Sequence, residues 1–192
     1  MKSFFPKFFA VASFVSFLFQ FSAFAGPRHG IPDCLDNQSR VLSIMNDQVL
    51  KWKQSSPNQY QARALVQGVV EKVYTQNPRV TDPSLMSWST QTEILKSNKG
   101  GGNNAHMHFS IRIGNQPGET LEVVYNVEFG DMPAPNVGDQ VIACGDYITS
   151  NAPTERYQPS PDGAIIHWVH RSPDLQRHQH GYVVINQRLY GF

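Results

Sequence analysis

A regular two-residue alternation between residues 106 and 129 constrains the fold of this chain more than any other feature. The apolar positions are Met107, Phe109, Ile111, Ile113, Leu121, Val123, Tyr125, Val127 and Phe129. This period is typical of strands that turn one face toward a core, and the Asn-Gln-Pro-Gly sequence at 115–118 favours a turn. The segment therefore predicts a β-hairpin whose other face, with His106, Arg112 and Asn126, is polar and points outward.

Further strands are predicted on both sides of this hairpin. A valine-rich run at 62–75 precedes it, and Gly68 within that run indicates a bulge or bend. After the hairpin, one strand is expected to end near Tyr147 and the next strand to begin near Gly163. The last two strands are expected to cover 182–185 and 188–190. Five or six curved strands fit a closed barrel better than an open sheet, because closure removes exposed edges.

The predicted fold class is therefore mainly β: a small antiparallel OB-like β-barrel over residues 62–192, preceded by one N-terminal α-helix. A two-layer β-sandwich is the alternative that periodicity leaves open. The helix lies in an N-terminal segment, residues 26–61, with Asp33 as its N-cap and an end near Gln54. Its apolar face consists of Leu35, Leu42, Met45, Val49 and Trp52. The polar face lacks the basic surplus of a membrane-binding helix, so we expect the helix to pack on the barrel.

The first 25 residues have the features of a secretory signal peptide. Lys2 and Lys7 precede an apolar run at 8–24, and Ala23 and Ala25 have the spacing that signal peptidase reads. The run is shorter than the roughly 20 apolar residues that a membrane span needs. We therefore expect cleavage after Ala25, a periplasmic or secreted mature protein, and no stable membrane span after cleavage.

The mature chain carries little net charge. Removal of residues 1–25 takes away two of the 16 basic residues and none of the 15 acidic ones, which leaves a formal charge of −1. Nucleic-acid-binding proteins normally show a basic surplus or stripe, and the predicted outer face offers no aromatic residue for base stacking. The sequence therefore disfavours nucleic acid and leaves a small ligand or a component of the cell envelope as the partner.

The chain has two cysteines, Cys34 and Cys144, and both lie in the exported part. An even pair in an oxidising compartment favours a disulfide. This predicted bond would close a loop of about 110 residues and stabilise the fold by roughly 4–5 kcal/mol in the chain-entropy model. Metal ligation by the two thiolates is the alternative.

Four of the seven histidines lie within residues 163–182. Imidazole is a ligand of zinc, copper, iron and nickel, which makes the histidines of this stretch candidates for binding a divalent transition metal such as zinc. On a regular strand His167 and His170 project from opposite faces. Both reach one site only if the strand bulges or ends between them. The alternative is that these histidines only hydrogen-bond within the barrel and its loops.

An ordered set of short motifs runs through residues 64–182. Its members are Val66-Gln67-Gly68, His106, Phe109, Tyr125-Asn126-Val127, Val137-Gly138-Asp139, Gly145-Asp146-Tyr147, His167-Trp168-Val169-His170, Pro173, His178, Gly181 and Tyr182. This set resembles the DUF3465 family of small exported bacterial proteins, which has no established activity. The resemblance implies export and a barrel-like core with a histidine-tryptophan-x-histidine signature. The histidines that match the family are His106, His167, His170 and His178, and these are the candidate metal ligands. This chain departs from the family in a longer insertion between the first two strands, in the additional helix with its cysteine, and at Ser172, where the family has a carboxylate.

Three functions remain compatible with these patterns. The first, which we favour, is an exported binding module for a small ligand, metal ion, oligosaccharide or envelope partner. Its ligand-binding residues would be His106, Arg112, Asn126 and Trp168, with loops at 76–105 and 149–163. The second is a histidine-metal-dependent hydrolase, a nuclease included, in which zinc activates water. Glu122, Asp146 and Asp174 would contribute carboxylates to it. The third is a structural envelope protein. The sequence assigns no catalytic residue and leaves open whether the protein is an enzyme.

Overall fold

The computed structural model describes residues 30–74, 79, 106–154 and 157–192. The predicted signal peptide and nearly all of the predicted loop at 76–105 lie outside the described residues. Residues Ile31–Phe192 form one compact unit. The described part of this unit contains one α-helix and a seven-stranded sheet, so the protein is mainly β, as the sequence predicts.

The elements follow one another in the order helix, then strands. The helix is α1 (Asn46–Ser55), and the strands are β1 (Tyr60–Tyr74), β2 (His106–Arg112), β3 (Thr120–Asn126), β4 (Gln140–Thr149), β5 (Ala164–His167), β6 (Tyr182–Ile185) and β7 (Arg188–Tyr190). A short 3-10 helix, Val127–Phe129, follows β3. The two C-terminal strands have the bounds that the sequence predicts.

Five strands pair in a closed order: β1, β2, β3, β5 and β4, with β4 pairing back to β1. The 15-residue β1 makes this closure, because Tyr60–Val69 pairs with β4 and Val69–Tyr74 pairs with β2. Strands β6 and β7 extend the sheet from β4. The β3–β5 pair is parallel. The sheet is therefore mixed, and the prediction of a wholly antiparallel sheet is wrong at this pair.

Gly68 lies where β1 passes from one partner strand to the other. The register shifts lie between Val70 and Lys72 and between Tyr60 and Ala62, so the predicted bulge is displaced from the glycine. A Cβ atom on residue 68 would lie 2.4 Å from the carbonyl oxygen of Arg112. Glycine is needed here because two backbones approach closely, which is the other common reason for a glycine inside a strand.

The predicted inward face of the hairpin forms the core. Phe109, Ile111, Leu121 and Val123 are fully buried there, and they pack with apolar residues of β1, β4 and β5. Phe129 departs from the prediction, because it lies in the 3-10 helix and is only half-buried. The core therefore fills the space inside the five-strand ring and leaves the histidines of β2 on its outer face.

The helix is shorter than the sequence predicts, since α1 begins at Asn46 and Asp33 is not its N-cap. Residues 31–45 form an extended segment with a turn, in which the Asp36 carboxylate accepts hydrogen bonds from the backbone N–H groups of Gln38 and Arg40. Such local side-chain acceptors compete with helical hydrogen bonding. Only the second half of the predicted apolar face packs on the core, with Val49 buried and Trp52 5.4 Å from the Tyr147 ring.

The first half of that apolar pattern has a different role around the disulfide. The Sγ atoms of Cys34 and Cys144 are 2.05 Å apart, which confirms the predicted pair. Both cysteines are buried in a second apolar cluster, against which Leu42 packs. The disulfide thus fixes the N-terminal segment to β4 beside the ring. No helix in the described ranges is long and apolar enough to cross a membrane.

Candidate functional site

The outer face of β2, β3 and β5 is polar but covered. The sequence predicts that this face is exposed, yet His108, Ser110 and Glu122 are buried. The segment between β4 and β5 covers them: the Ser160 hydroxyl donates to Glu122, and the Ser110 hydroxyl donates to Asp162 over 2.8 Å. The prediction of an open face is therefore wrong for these residues, because strand periodicity gives no information about a loop that folds over the sheet.

A histidine–carboxylate pair lies at the centre of this face. Nδ1 of His108 is 2.6 Å from Oε1 of Glu122, and the other carboxylate oxygen accepts from Ser160. When the imidazole is neutral, donation from Nδ1 to the carboxylate leaves the lone pair on Nε2. That Nε2 atom is buried and has no hydrogen-bond partner among the described residues. A buried polar atom without a partner is a rare feature that calls for a ligand or another explanation.

Two further imidazoles lie close to this pair. His106 is two residues before His108 on β2, so both project from the same face. On the other side of β3, β5 places Ile166 beside Val123, and His167 is the next residue on the outer face. The ring centroids of His106 and His167 are 5.5 Å apart, and those of His106 and His108 are 6.3 Å apart. We call His106, His108, His167 and Glu122 the imidazole cluster.

The spacing of the His106 and His167 rings is close to that of two metal-bound histidines, and the spacing of the His106 and His108 rings is wider. With zinc–nitrogen bonds of about 2.0–2.1 Å and tetrahedral geometry, two ligating rings have centroids about 5 Å apart. Within the described ranges, no three His, Cys, Asp or Glu side chains are arranged to hold a metal ion as they stand. A bound ion would therefore require the three rings to move somewhat closer together.

Burial lowers the pKa of His167 to about 3, and the nearby His106 is the next cause of this shift. The ring is therefore neutral at neutral pH, with one nitrogen lone pair available. Burial also lowers the pKa of His170. Neutral imidazole is the form that ligates metal ions.

This shift makes the folded state sensitive to acid. Below the unfolded-state pKa of 6.5, an unfolded chain protonates His167 whereas the folded chain does not, so the free energy of unfolding falls as the pH drops toward 3. One such proton contributes at most about 1.4 kcal/mol per pH unit. We expect urea unfolding in a metal chelator to show a larger loss of stability between pH 7 and pH 5 for the wild type than for His167→Asn. Equal losses in both proteins would contradict this assignment.

His170 and His178 are separated from the imidazole cluster by Trp168. Strand β5 ends at His167, and Trp168 has a φ of 53°, in the left-handed region that residues other than glycine rarely adopt. The His178 ring stacks on Trp168 at 4.0 Å, and the His170 ring stacks on Phe129 at 3.8 Å. The four predicted metal ligands thus fall into two groups, and only His106 and His167 lie together near His108.

Contacts with the scaffold hold His178 and His170. Nδ1 of His178 is 2.8 Å from Asp146, and Asp146 in turn pairs with the buried Arg63 at 2.9 Å. Nδ1 of His170 lies 3.0 Å from the carbonyl oxygen of Arg171. The structural interpretation of the histidines predicts bonds to backbone carbonyls for both residues; the His170 bond agrees with it, whereas His178 bonds to a side-chain carboxylate.

The other predicted ligand-binding residues are dispersed. Arg112 lies at the opposite end of β2 from His106, where it pairs with Glu71 at 3.6 Å. The side chain of Asn126 accepts a hydrogen bond from the backbone of Glu128 and caps the 3-10 helix. Trp168 follows His167 directly but stacks on His178. Of the predicted ligand-binding set, His106 belongs to the imidazole cluster and Trp168 borders it.

The predicted carboxylates differ in their surroundings. Glu122 lies in the imidazole cluster, Asp146 is engaged by Arg63, and Asp174 is exposed and pairs with Arg177 at 3.4 Å. Ser172 exchanges hydrogen bonds with the backbone of Asp174 and shapes a turn.

Sequence reasoning gave no role to His108, the residue with the most unusual surroundings. The signal that identifies it is the spacing His106-x-His108 on a strand, which places two imidazoles on one face. Glu122 on the partner strand was recognised only as an accessory carboxylate. Its position opposite Ser110 in the hairpin register, next to His108, explains the pair that forms.

The fold and the cluster together define a mainly β, disulfide-linked protein with a buried imidazole–carboxylate site on the outer face of its sheet. Comparisons with protein-family models, curated proteins and solved structures find no match to this chain. The resemblance to the DUF3465 family therefore stays a prediction that depends on the sequence motifs alone.

Proposed function

We propose that this protein is an exported OB-like barrel that serves as a binding module for a divalent transition-metal ion. The ligands are His106, His108 and His167, and Glu122 positions His108. The observation that carries the proposal is the buried Nε2 of His108, which has no hydrogen-bond partner among the residues that the structure describes, while Nδ1 of the same ring is hydrogen-bonded to a fully buried carboxylate. Metal-ligating histidines almost always donate their other ring N–H to a carboxylate, a carbonyl or water.

The strand order and the disulfide support the fold and the location in this proposal. Five strands close in a ring through the β1–β4 pairing, in keeping with the five-stranded barrel of OB-folds. The Cys34–Cys144 disulfide is typical of proteins in oxidising compartments. It accords with the signal peptide predicted at residues 1–25, and hence with a periplasmic or secreted protein.

The chemistry of the three ligands favours particular ions. Imidazole nitrogen suits zinc, copper and nickel, whereas magnesium and calcium prefer oxygen ligands. His167 is neutral at neutral pH because of its lowered pKa, so it binds an ion without first losing a proton. We therefore expect zinc or copper(II) to bind and magnesium not to compete.

Zinc titration by calorimetry tests this proposal. We expect the wild type to bind one equivalent of zinc. His108→Phe, which keeps a ring in the buried space, should weaken binding at least 100-fold because one of three ligands is lost. Glu122→Gln should weaken binding about 10- to 100-fold, as is typical when an outer partner of a ligand is lost. His106→Gln gives a second test at a half-buried position that depends less on packing.

His178→Gln is the matched control, since that histidine contacts Asp146 and Trp168 and lies outside the cluster. It should bind zinc like the wild type. Absence of zinc binding in the wild type, or equal affinity in the wild type, His108→Phe and His106→Gln, would exclude the proposed site.

A further inference from the structure

We infer that residues 157–163, which we call the strap, form a gate that must open before an ion reaches the imidazole cluster. The inference rests on the proposed metal site and concerns the control of that site. The cluster lies under cover, since His108 is 4% exposed and Glu122 is completely buried. An ion therefore reaches Nε2 of His108 only when part of the covering structure moves away.

Two buried residues, Ser160 and Asp162, hold the strap to the outer face of the sheet. The Ser160 hydroxyl donates a hydrogen bond to Glu122 on β3. Asp162 accepts hydrogen bonds from the hydroxyl groups of Ser110 on β2, over 2.8 Å, and of Tyr74 on β1, over 3.0 Å. The strap is therefore bonded to three neighbouring strands.

The sheet residues that hold the strap are the neighbours of His108. Tyr74 is the partner of His108 in the register of β1 and β2, and Ser110 is the next residue of β2 on the same face. Glu122 holds Nδ1 of His108. Displacement of the strap therefore exposes the space around the proposed ligand.

Hydrogen bonds, and not apolar contacts, keep the strap in place. Ser160 and Asp162 are its only buried residues, and both are polar. Among the described residues, neither apolar cluster includes a member of the strap. Segments with few buried apolar contacts open locally at a lower free energy than the core of a protein. Loss of one of these bonds should therefore make opening more frequent while the sheet stays folded.

Stopped-flow measurement of zinc uptake by the metal-free protein, with a fluorescent zinc indicator, tests this gate. Because opening precedes binding, the uptake rate of the wild type should reach a plateau as the zinc concentration is raised. Ser160→Ala should raise the plateau about tenfold, because a hydrogen bond to a buried carboxylate is lost. Tyr74→Phe should raise it about three- to tenfold, and it leaves the contact between Ser160 and Glu122 in place.

Tyr74→Phe distinguishes a gate from a support for Glu122, because it loosens the strap without removing a bond to that carboxylate. Zinc uptake and zinc release should both become faster in this variant, and its zinc affinity should stay close to that of the wild type. Ser172→Ala is the matched control, since Ser172 is also a buried serine, but its hydroxyl donates to the carbonyl oxygen of Asp174. It should take up zinc at the wild-type rate.

Amide hydrogen exchange in the metal-free protein gives a second readout that needs no ion. The backbone N–H of Gly163 donates to the carbonyl oxygen of Ser160 over 2.8 Å, and the N–H of Ser160 donates to that of Ser150 over 2.9 Å. Both amides should exchange faster in Tyr74→Phe than in the wild type, because the strap opens more often. Equal exchange in the two proteins would overturn the gate.

The zinc measurements separate this inference from the proposed function. An uptake rate that rises in proportion to zinc without a plateau, or equal plateaus in the wild type, Ser160→Ala and Tyr74→Phe, would overturn the gate and leave the metal site standing. Faster release with unchanged uptake in Ser160→Ala would also overturn the gate, because Ser160 would then only support Glu122. Absence of zinc binding by the wild type would overturn both.

Discussion

Replacement of both Cys34 and Cys144 by alanine is expected to lower the free energy of unfolding by about 4 kcal/mol. The bond joins residues 110 positions apart, and a loop of this length restricts the unfolded chain strongly. Both cysteines are also buried beside Leu65 in the second apolar cluster, so the alanines lose some packing as well. Urea unfolding at pH 7 of the oxidised wild type and the double variant measures the difference.

The reduced wild type is the control for this prediction, because it keeps the sulfur atoms but lacks the bond. It should unfold at a urea concentration close to that of the double variant. The loss of order should also be confined to one segment. Residues 31–45 should become more sensitive to protease, while the circular dichroism spectrum should keep its β-sheet signal. A difference below about 1 kcal/mol between oxidised wild type and double variant would contradict the predicted contribution of the loop.

Substitution of Arg63 by methionine is expected to destabilise the protein by about 3–5 kcal/mol, because it leaves Asp146 buried without its cation. Nη1 of Arg63 is 2.9 Å from Asp146, and the same side chain donates to the carbonyl oxygens of Leu35 and His180. One buried side chain thus joins the N-terminal segment, β4 and the segment before β6. Loss of these bonds leaves three acceptors to satisfy at once.

Two further variants give this prediction its controls. The double variant Arg63→Met with Asp146→Asn removes the buried negative charge and should recover part of the lost stability. Arg40→Met breaks the surface pair with Asp36, in which the Arg40 side chain is 74% exposed, and should cost less than about 1 kcal/mol. Similar losses in the free energy of unfolding for Arg63→Met and Arg40→Met would show that the buried pair contributes no more to stability than the surface pair.

The strands were predictable from sequence because apolar and polar residues alternate along a strand that has one buried face. The hairpin around Phe109 and Val123 is an example, since its inner face alternates without interruption and forms the core. The parallel β3–β5 pair was not predictable, because strand order depends on how the chain crosses the ring. No local pattern records that crossing.

The start of the helix was not predictable for a related reason. Leu35 and Leu42 continue the helical spacing of Val49, but the disulfide and the Asp36 turn hold residues 31–45 in an extended form. The two cysteines predict the bond itself, but the period of the apolar residues does not show that the bond holds this segment in an extended form. Propensity therefore gave way to tertiary context in this segment.

The sequence predicts that the candidate site consists of histidines, but it does not predict which histidines belong to it. His106 and His167 come together because β2 and β5 pair with the two edges of β3, and both side chains project from the same face of the sheet. The left-handed backbone conformation of Trp168 turns the chain, so that His170 lies outside the imidazole cluster. The sequence does not predict this conformation. The burial of His108 and Glu122 depends on the segment that carries Ser160, and a covering loop leaves no trace in the periodicity of the strand below it.

Anomalous diffraction from crystals of the zinc-loaded protein tests the proposed metal site most directly. We expect one zinc peak on the outer face of β2, β3 and β5, within about 2.0–2.1 Å of ring nitrogens of His106, His108 and His167. The Nδ1 atom of His108 should keep its hydrogen bond to Glu122. A zinc peak bound instead by His170 or His178, or no ordered zinc at the imidazole cluster, would contradict it.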